Sequence, residues 1–296
     1  MLIGADGGGS AVRRTMQEVT DLGVSEDLLE HGYRELTIPA GNKGEFLMDR
    51  NALHIWPRGG FMLIALPNSD GSFTVTLFLS NTDKPGFAHL NDWDSQQRFM
   101  AEQFPDVMPI LSDLERDFLD NPVGLLGTVR CKQWYLQDKG LLLGDAAHAV
   151  VPFHGQGMNA AFEDCAELID CLEDHEQDWE RVFNRFQEQR IDHANAIADM
   201  ALENYLTMRD SVRDPGFLFR KELEHELERR HPMRFIARYS LVMFHRLPYA
   251  QVYRRGQLQA AILDQLLDSA ESLGEVDFEL AARLVDGQLE LISEPE

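Results

Sequence analysis

One stretch restricts this chain more than any other: Gly140-Leu141-Leu142-Leu143-Gly144-Asp145-Ala146-Ala147-His148, with Pro152-Phe153-His154-Gly155-Gln156-Gly157-Met158-Asn159 close behind it. The apolar run is short and ends in Gly-Asp, so it reads as a buried strand with a carboxylate at its carboxyl end. Gly144 lets the backbone approach a ligand, and Asp145 can accept hydrogen bonds from sugar hydroxyls. Gly155 and Gly157 bracket a turn that leads into a helical pattern. Their backbone N–H groups sit at a helix start, where the dipole favours negative charge. One elongated ligand can use both ends: a dinucleotide with its sugar at one place and an electron-accepting ring at the other.

A second glycine-rich turn opens the chain. Leu2-Ile3-Gly4-Ala5-Asp6-Gly7, continuing to Ser10, Val12 and Arg13, reads as a strand end, a turn and the first turn of a helix. The two motifs, in this order and separated by a long insertion, resemble the cofactor site of the aromatic-ring flavoprotein hydroxylases, single-component enzymes that use FAD and NADPH. In that family a Gly-x-Gly-x-x-Gly turn stands upstream of the Asp-Gly motif and cradles the FAD pyrophosphate. Gly7-Gly8-Gly9 does not have that spacing, so the chain reads as the carboxyl-terminal portion of a longer enzyme. On that reading the isolated polypeptide is expected to bind FAD weakly and to turn over slowly or not at all.

Composition bounds the class. The 296 residues suffice for one large or two modest domains, and 44% hydrophobic content is ordinary for a globular chain. A formal net charge of −23 argues against nucleic acid or an anionic membrane as partner. The three cysteines, Cys131, Cys165 and Cys171, are too few and too odd in number for a disulfide framework, and no zinc-like spacing appears, so a cytoplasmic setting and no metal are expected. No apolar run reaches the roughly 20 residues of a membrane helix. The last four residues, 293–296, are polar and acidic.

The expected fold class is mixed α/β: an incomplete FAD-binding Rossmann-like domain with an inserted β-sheet substrate domain and a carboxyl-terminal helical region. The resemblance implies a partial FAD domain from residues 1–14 and 126–175, a substrate sheet from 15–125 and helices over 176–296. Strand-like patterning runs from Arg34 to Ser80. Phe73, Val75, Leu77 and Leu79 recur at a period of two after the Asp70-Gly71 turn, as in a hairpin with one face buried. Residues 92–118 are expected to form one helix and residues 128–134 a strand. A long amphipathic helix is expected from Trp179 to about Met208, with later helices starting at Phe217, Met233 and Leu258.

Within the family the chain looks like the branch that hydroxylates kynurenine. The residues that carry this are Leu53-His54-Ile55-Trp56-Pro57-Arg58-Gly59 with Phe61 to Asn68, Asn204-Tyr205 with Met208-Arg209, and Pro248-Tyr249 leading to Arg255-Gly256-Gln257. The resemblance implies that NADPH reduces FAD, that O2 adds to give a flavin C4a-hydroperoxide, and that L-kynurenine becomes 3-hydroxykynurenine. It assigns Asp6, Gly7 and Arg13 to the FAD ribose and pyrophosphate region. Asp145 goes to the ribose, and Gly157, Met158 and Asn159, with Gln156, to the flavin edge. Pro152, Phe153 and Gly155 fall to the reacting face, and Asn204 and Tyr239 to the substrate. Each has a plainer alternative. Asp145 can cap a helix, and Arg58 can sit in a surface turn. His148 and His154 can be satisfied structural histidines. Asn204 lies in the apolar stripe of Ile197, Ala201 and Met208, where a buried amide needs a partner, substrate or backbone carbonyl. Tyr239 shares a face with Phe235 and Val242 and needs one too if buried. A non-catalytic remnant of this fold, a hydroxylase for another aromatic acid, and a homodimer stay open.

Overall fold

The computed structural model describes residues 1–175, 178–211 and 214–292; the acidic end at 293–296 lies outside them. The chain begins with β1 (Leu2–Gly4) and α1 (Ala11–Gln17), then β2 (Ser25–Ile38), β3 (His54–Pro57), β4 (Met62–Pro67) and β5 (Phe73–Ser80). Two helices, α2 (Trp93–Gln103) and α3 (Leu114–Asp120), precede β6 (Gly124–Arg130), β7 (Tyr135–Leu136) and β8 (Gly140–Leu142). Helices follow: α4 (Asp145–His148), α5 (Gly157–His175), α6 (Trp179–Leu206), α7 (Pro215–Arg230), α8 (Arg238–Phe244), α9 (Tyr249–Leu267) and α10 (Phe278–Gln288). The chain divides into two compact units, one made of Met1–Glu26, Thr128–Asn204 and Asp214–Glu296, the other of Asp27–Gly127 and Tyr205–Arg213.

In the first unit β1 and β8 pair in parallel, with Ile3 opposite Leu141, and β7 pairs antiparallel on the far side of β8. Parallel pairing puts the carboxyl ends of β1 and β8 side by side. The Gly4–Gly7 loop and the Gly144 turn therefore emerge next to each other despite their separation in sequence. Leu141 and Leu142 are fully buried and pack with Trp134, Phe183 and Phe186. The amino-terminal half of α6 thus shares a core with the β8 strand. Farther along, α7, α9 and α10 form a second cluster around Leu223, Leu227, Leu263 and Val285.

The second unit holds most of a five-stranded sheet, ordered β3-β4-β5-β2-β6. The β4–β5 hairpin turns at Asp70-Gly71, where Asn68 N–H donates to Ser72 C=O at 2.8 Å. Phe73, Val75, Leu77 and Leu79 are all fully buried, and α2 and α3 cover them with Phe99, Phe104, Leu114 and Phe118.

Several boundaries depart from the sequence pattern. Residues 92–118 form α2, a 3-10 turn at Met108–Ile110 and α3 rather than one helix. Pro105 and Pro109 interrupt the backbone ladder, since proline has no N–H to donate and restricts the residue before it. The stretch 128–134 is not one strand, because β6 starts earlier and ends at Arg130. The α6 helix ends at Leu206, and a π-helical turn, Thr207–Ser211, takes Met208 out of the predicted stripe. Phe235 precedes α8, and α9 begins at Tyr249 rather than Leu258, directly after Pro248.

Candidate functional site

A cleft of about 430 Å³ opens between the ends of β1 and β8 and the start of α5. It is lined by Gly7, Leu143, Gly144, Asp145, Gly157 and Met158, among others. Four of the predicted cofactor residues, Gly7, Asp145, Gly157 and Met158, therefore share one hollow. Asp145 is exposed and free of any capping bond from its side chain, and Met158 is two-thirds exposed at the rim. Gly157 begins the 19-residue α5, whose first hydrogen bond runs from Ala160 N–H to Gln156 C=O at 2.8 Å. The N–H groups ahead of Ala160 have no intrahelical acceptor and form the positive end of the helix.

The turn at Gly144 is held from behind. Its φ of +57° suits glycine, and a Cβ there would meet the Ala161 Cβ at 3.1 Å. Asp164, fully buried on α5, accepts the Gly144 N–H at 3.0 Å, the His148 Nε2–H at 2.6 Å and the Arg190 Nε–H at 2.7 Å. Burial pushes the Asp164 carboxyl up, but the His148 hydrogen bond and charge, with Arg190, outweigh it and hold the carboxyl below its ordinary value. His148 also stacks on Trp134 at 4.8 Å, so it is a satisfied structural histidine. Arg190 further donates to Glu163 at 3.0 Å and to the Ala160 carbonyl.

The opening loop is tied down in a comparable way. The Arg13 guanidinium is buried and donates to the carbonyls of Gly8 and Ala146 and to Glu26 at 2.8 Å. It links the Gly7–Gly9 loop to the segment after Asp145. Asp6 is held within the same loop. Its carboxylate accepts from the Ser10 hydroxyl at 2.5 Å and from the backbone N–H groups of Ala11 and Val12, which fastens the start of α1. The Ser10 bond is the main reason its carboxyl lies below the usual range.

The turn after α4 is also set by side chains. Gly155 is left-handed at φ +64° and closes a 3-10 turn over Pro152–His154. Phe153 is buried while Pro152 is exposed, so the two do not face the same surroundings, and neither is among the residues lining the cleft. Asn204 Nδ2 donates to the Phe153 carbonyl at 2.5 Å, so its partner here is backbone. Asn159 donates to Gln156 Oε1 at 3.0 Å, which the Tyr249 hydroxyl also reaches at 3.0 Å. Tyr239 is 44% exposed rather than buried and stacks on His154 with centroids 5.3 Å apart. Its predicted companion Phe235 lies outside the helix, so the shared face does not form. Burial, with Arg238 nearby, lowers the His154 pKa to about 4. In the other unit, Arg58 lies over the Phe104 ring at 4.8 Å and donates to the Gln103 carbonyl, fastening the turn after β3.

Sequence reasoning missed Asp164 and Arg190, and gave Tyr249 no role of its own. A signal for the first existed: Ala160, Asp164, Leu168 and Cys171 form the buried stripe of α5, and a carboxylate there needs partners.

Comparison with known proteins adds the family context. The FAD binding domain family matches residues 126–201. Kynurenine 3-monooxygenase of Stenotrophomonas maltophilia (strain K279a) is 47% identical over 291 residues, 98% of this chain and 64% of that protein. The chain is thus similar to a kynurenine 3-monooxygenase over nearly its whole length. The enzyme of that name from Xanthomonas axonopodis pv. citri (strain 306) is 47% identical over 289 residues, 98% of this chain and 63% of the relative. The chain spans about 64% of the length of the relatives it matches. Among solved structures, the tetrameric form of 2-methyl-3-hydroxypyridine-5-carboxylic acid oxygenase aligns with a TM-score of 0.57 at 20% identity, covering 73% of this chain and 57% of that one. P. aeruginosa PqsL in complex with 2-aminobenzoylacetate aligns at 0.56 and 19%, covering 73% and 57%. These likenesses show the same mixed α/β fold. No helix among the described residues is long and apolar enough to cross a membrane.

Proposed function

We propose that this chain carries part of an FAD-dependent hydroxylase that converts L-kynurenine to 3-hydroxykynurenine with NADPH and O2. One observation carries the reading. Gly7, Gly144, Asp145, Gly157 and Met158 line a single cleft at the carboxyl ends of two parallel strands, in a chain 47% identical to kynurenine 3-monooxygenase. Ligands of open α/β sheets bind in that position.

The lining suits a section of a flavin dinucleotide. A Cβ built on Gly7 meets nothing within 4 Å, and one on Gly157 meets only Val150 at 3.8 Å, so the backbone faces open space there. A carboxylate, a helix start and apolar rim residues stand around that space. The volume lies within the roughly 300–1,000 Å³ of small-molecule sites. Asp145 would accept hydrogen bonds from the ribose. The N–H groups of Gly157, Met158 and Asn159 would face the electron-rich edge of the ring, where fixed dipoles stabilise negative charge. Bound flavin supplies the activation of O2, using electrons from NADPH.

The chain's own residues orient and enclose. Pro152, Phe153 and Gly155 form the turn assigned to the reacting face, and the Asn204 amide fastens that turn through the Phe153 carbonyl. Asn204 and Tyr239 are assigned to the substrate side. The amino group on the substrate ring already activates the neighbouring carbon, so no protein nucleophile is needed. The test is to titrate the purified chain with FAD, then follow NADPH oxidation with kynurenine, anthranilate or simple phenols. Flavin uptake with oxidation stimulated by kynurenine supports the proposal. Flavin uptake with stimulation by a different aromatic acid reassigns the substrate, and no flavin uptake even at saturating FAD overturns it.

A further inference from the structure

The structure assigns Asp164 as the residue that positions the cofactor turn; the assignment rests on the proposed flavin site and deepens it. Asp164 does not line the cleft. It is fully buried and gathers three donors from three segments: the Gly144 N–H of the turn, the His148 imidazole at the end of α4 and the Arg190 guanidinium of α6.

The geometry makes this a constraint on the ligand-facing backbone. Gly144 is the residue before Asp145, and its amide points back at Asp164 while Asp145 is exposed at the cleft. Four residues on, His148 is pulled to the same carboxylate. Both ends of the short α4 segment are therefore bound to one group. The anchor stands on α5, whose first residues, Gly157 and Met158, line the opposite side of the cleft. One carboxylate thus sets the spacing between Asp145 and the α5 start, the two features that would grip the two ends of the flavin site. Arg190, held in turn by Glu163 and the Ala160 carbonyl, supplies a charge-assisted donor that helps hold the Asp164 carboxylate in place.

Asp164→Asn tests this, because it keeps the shape but removes the charge and one acceptor. Asp164→Glu keeps the charge but moves the carboxylate one methylene along. Leu227→Ala, in the separate α7–α9–α10 cluster, controls for general loss of stability. Amide hydrogen exchange reads local order without any cofactor, and FAD titration below the unfolding temperature reads the site. Asp164→Asn is expected to raise exchange across residues 143–149 and to weaken FAD binding about tenfold, the worth of one charge-assisted hydrogen bond. Leu227→Ala is expected to lower the unfolding temperature and leave both readouts unchanged. Unchanged exchange at 143–149, or unchanged FAD affinity in a variant with raised exchange, overturns the assignment. If Asp164→Asn does not fold, a Glu variant that binds FAD as the wild type does also overturns it. If the wild type itself takes up no FAD, the functional proposal fails while the exchange result still decides the positioning role.

Discussion

His154 shows how burial turns one side chain into a pH dependence. Its imidazole is 4% exposed and stacks on Tyr239, and its pKa falls to about 4 because the charged form is poorly solvated and Arg238 is close. An unfolded histidine titrates near 6.5. Between pH 6.5 and 4 the unfolded chain therefore binds the extra proton and the folded chain does not. His154 thus contributes stability that is complete above about pH 6.5 and is lost as the pH falls towards 4, by about 3 kcal/mol in all. Urea unfolding at pH 7 and pH 4.5 should show a smaller acid loss for His154→Phe than for the wild type. Equal losses would refute the role. Asp6 teaches a related lesson. The Asp6 carboxylate, beside Gly7, is held by Ser10, Ala11 and Val12. Letter patterns show that a carboxylate is present, whereas the nearest donor decides what it does.

At the scale of elements, the strand-to-helix turn at Gly144 tolerates little change. Its positive φ strains any residue with a Cβ, and α5 presses the Ala161 Cβ against it at 3.1 Å. Gly144→Ala is expected to cost about 2–3 kcal/mol in denaturant unfolding, from backbone strain plus crowding. A loss under half a kilocalorie would mean that α5 gives way easily. The hairpin from β4 to β5 was readable because alternation and the Asp70-Gly71 turn are both local signals. The break between α2 and α3 was readable only in part. Its apolar spacing is helical, and the prolines at 105 and 109 overrule that spacing by removing donors. The face expected for Phe235, Tyr239 and Val242 does not form for a similar reason: Phe235 lies outside the helix, so periodic spacing places no common face there.

At the scale of the whole molecule, 50 acidic residues against 27 basic ones leave a strongly negative chain. Like charges repel in the compact state, and salt screens them over a distance of about 10 Å at 0.1 M. Raising NaCl from about 0.02 M to about 0.5 M, a Debye-length change of several-fold, should raise the unfolding temperature by a few degrees. A fall with added salt would mean that attractive ion pairs, such as those of Arg190, dominate the balance. The same surplus of carboxylates makes buried ones hard to notice. Asp164 is one acid among fifty in the sequence, and only its place on the apolar stripe of α5 sets it apart.

Residue order alone determined the two glycine-rich turns, the acidic residue after the buried strand, the helix start at Gly157 and the alternating hairpin. Each of these is encoded within about ten neighbouring residues, where backbone sterics and side-chain period act directly. Tertiary structure alone decided that β1 lies parallel to β8, that α6 shares the core of the β8 strand, and that Asp164 and Arg13 brace the turns from behind. Those pairings join segments more than a hundred residues apart in the case of Arg13 and Ala146, and 20 apart for Gly144 and Asp164. No local preference selects such partners; they follow from which donors remain to be satisfied once the apolar surfaces have closed.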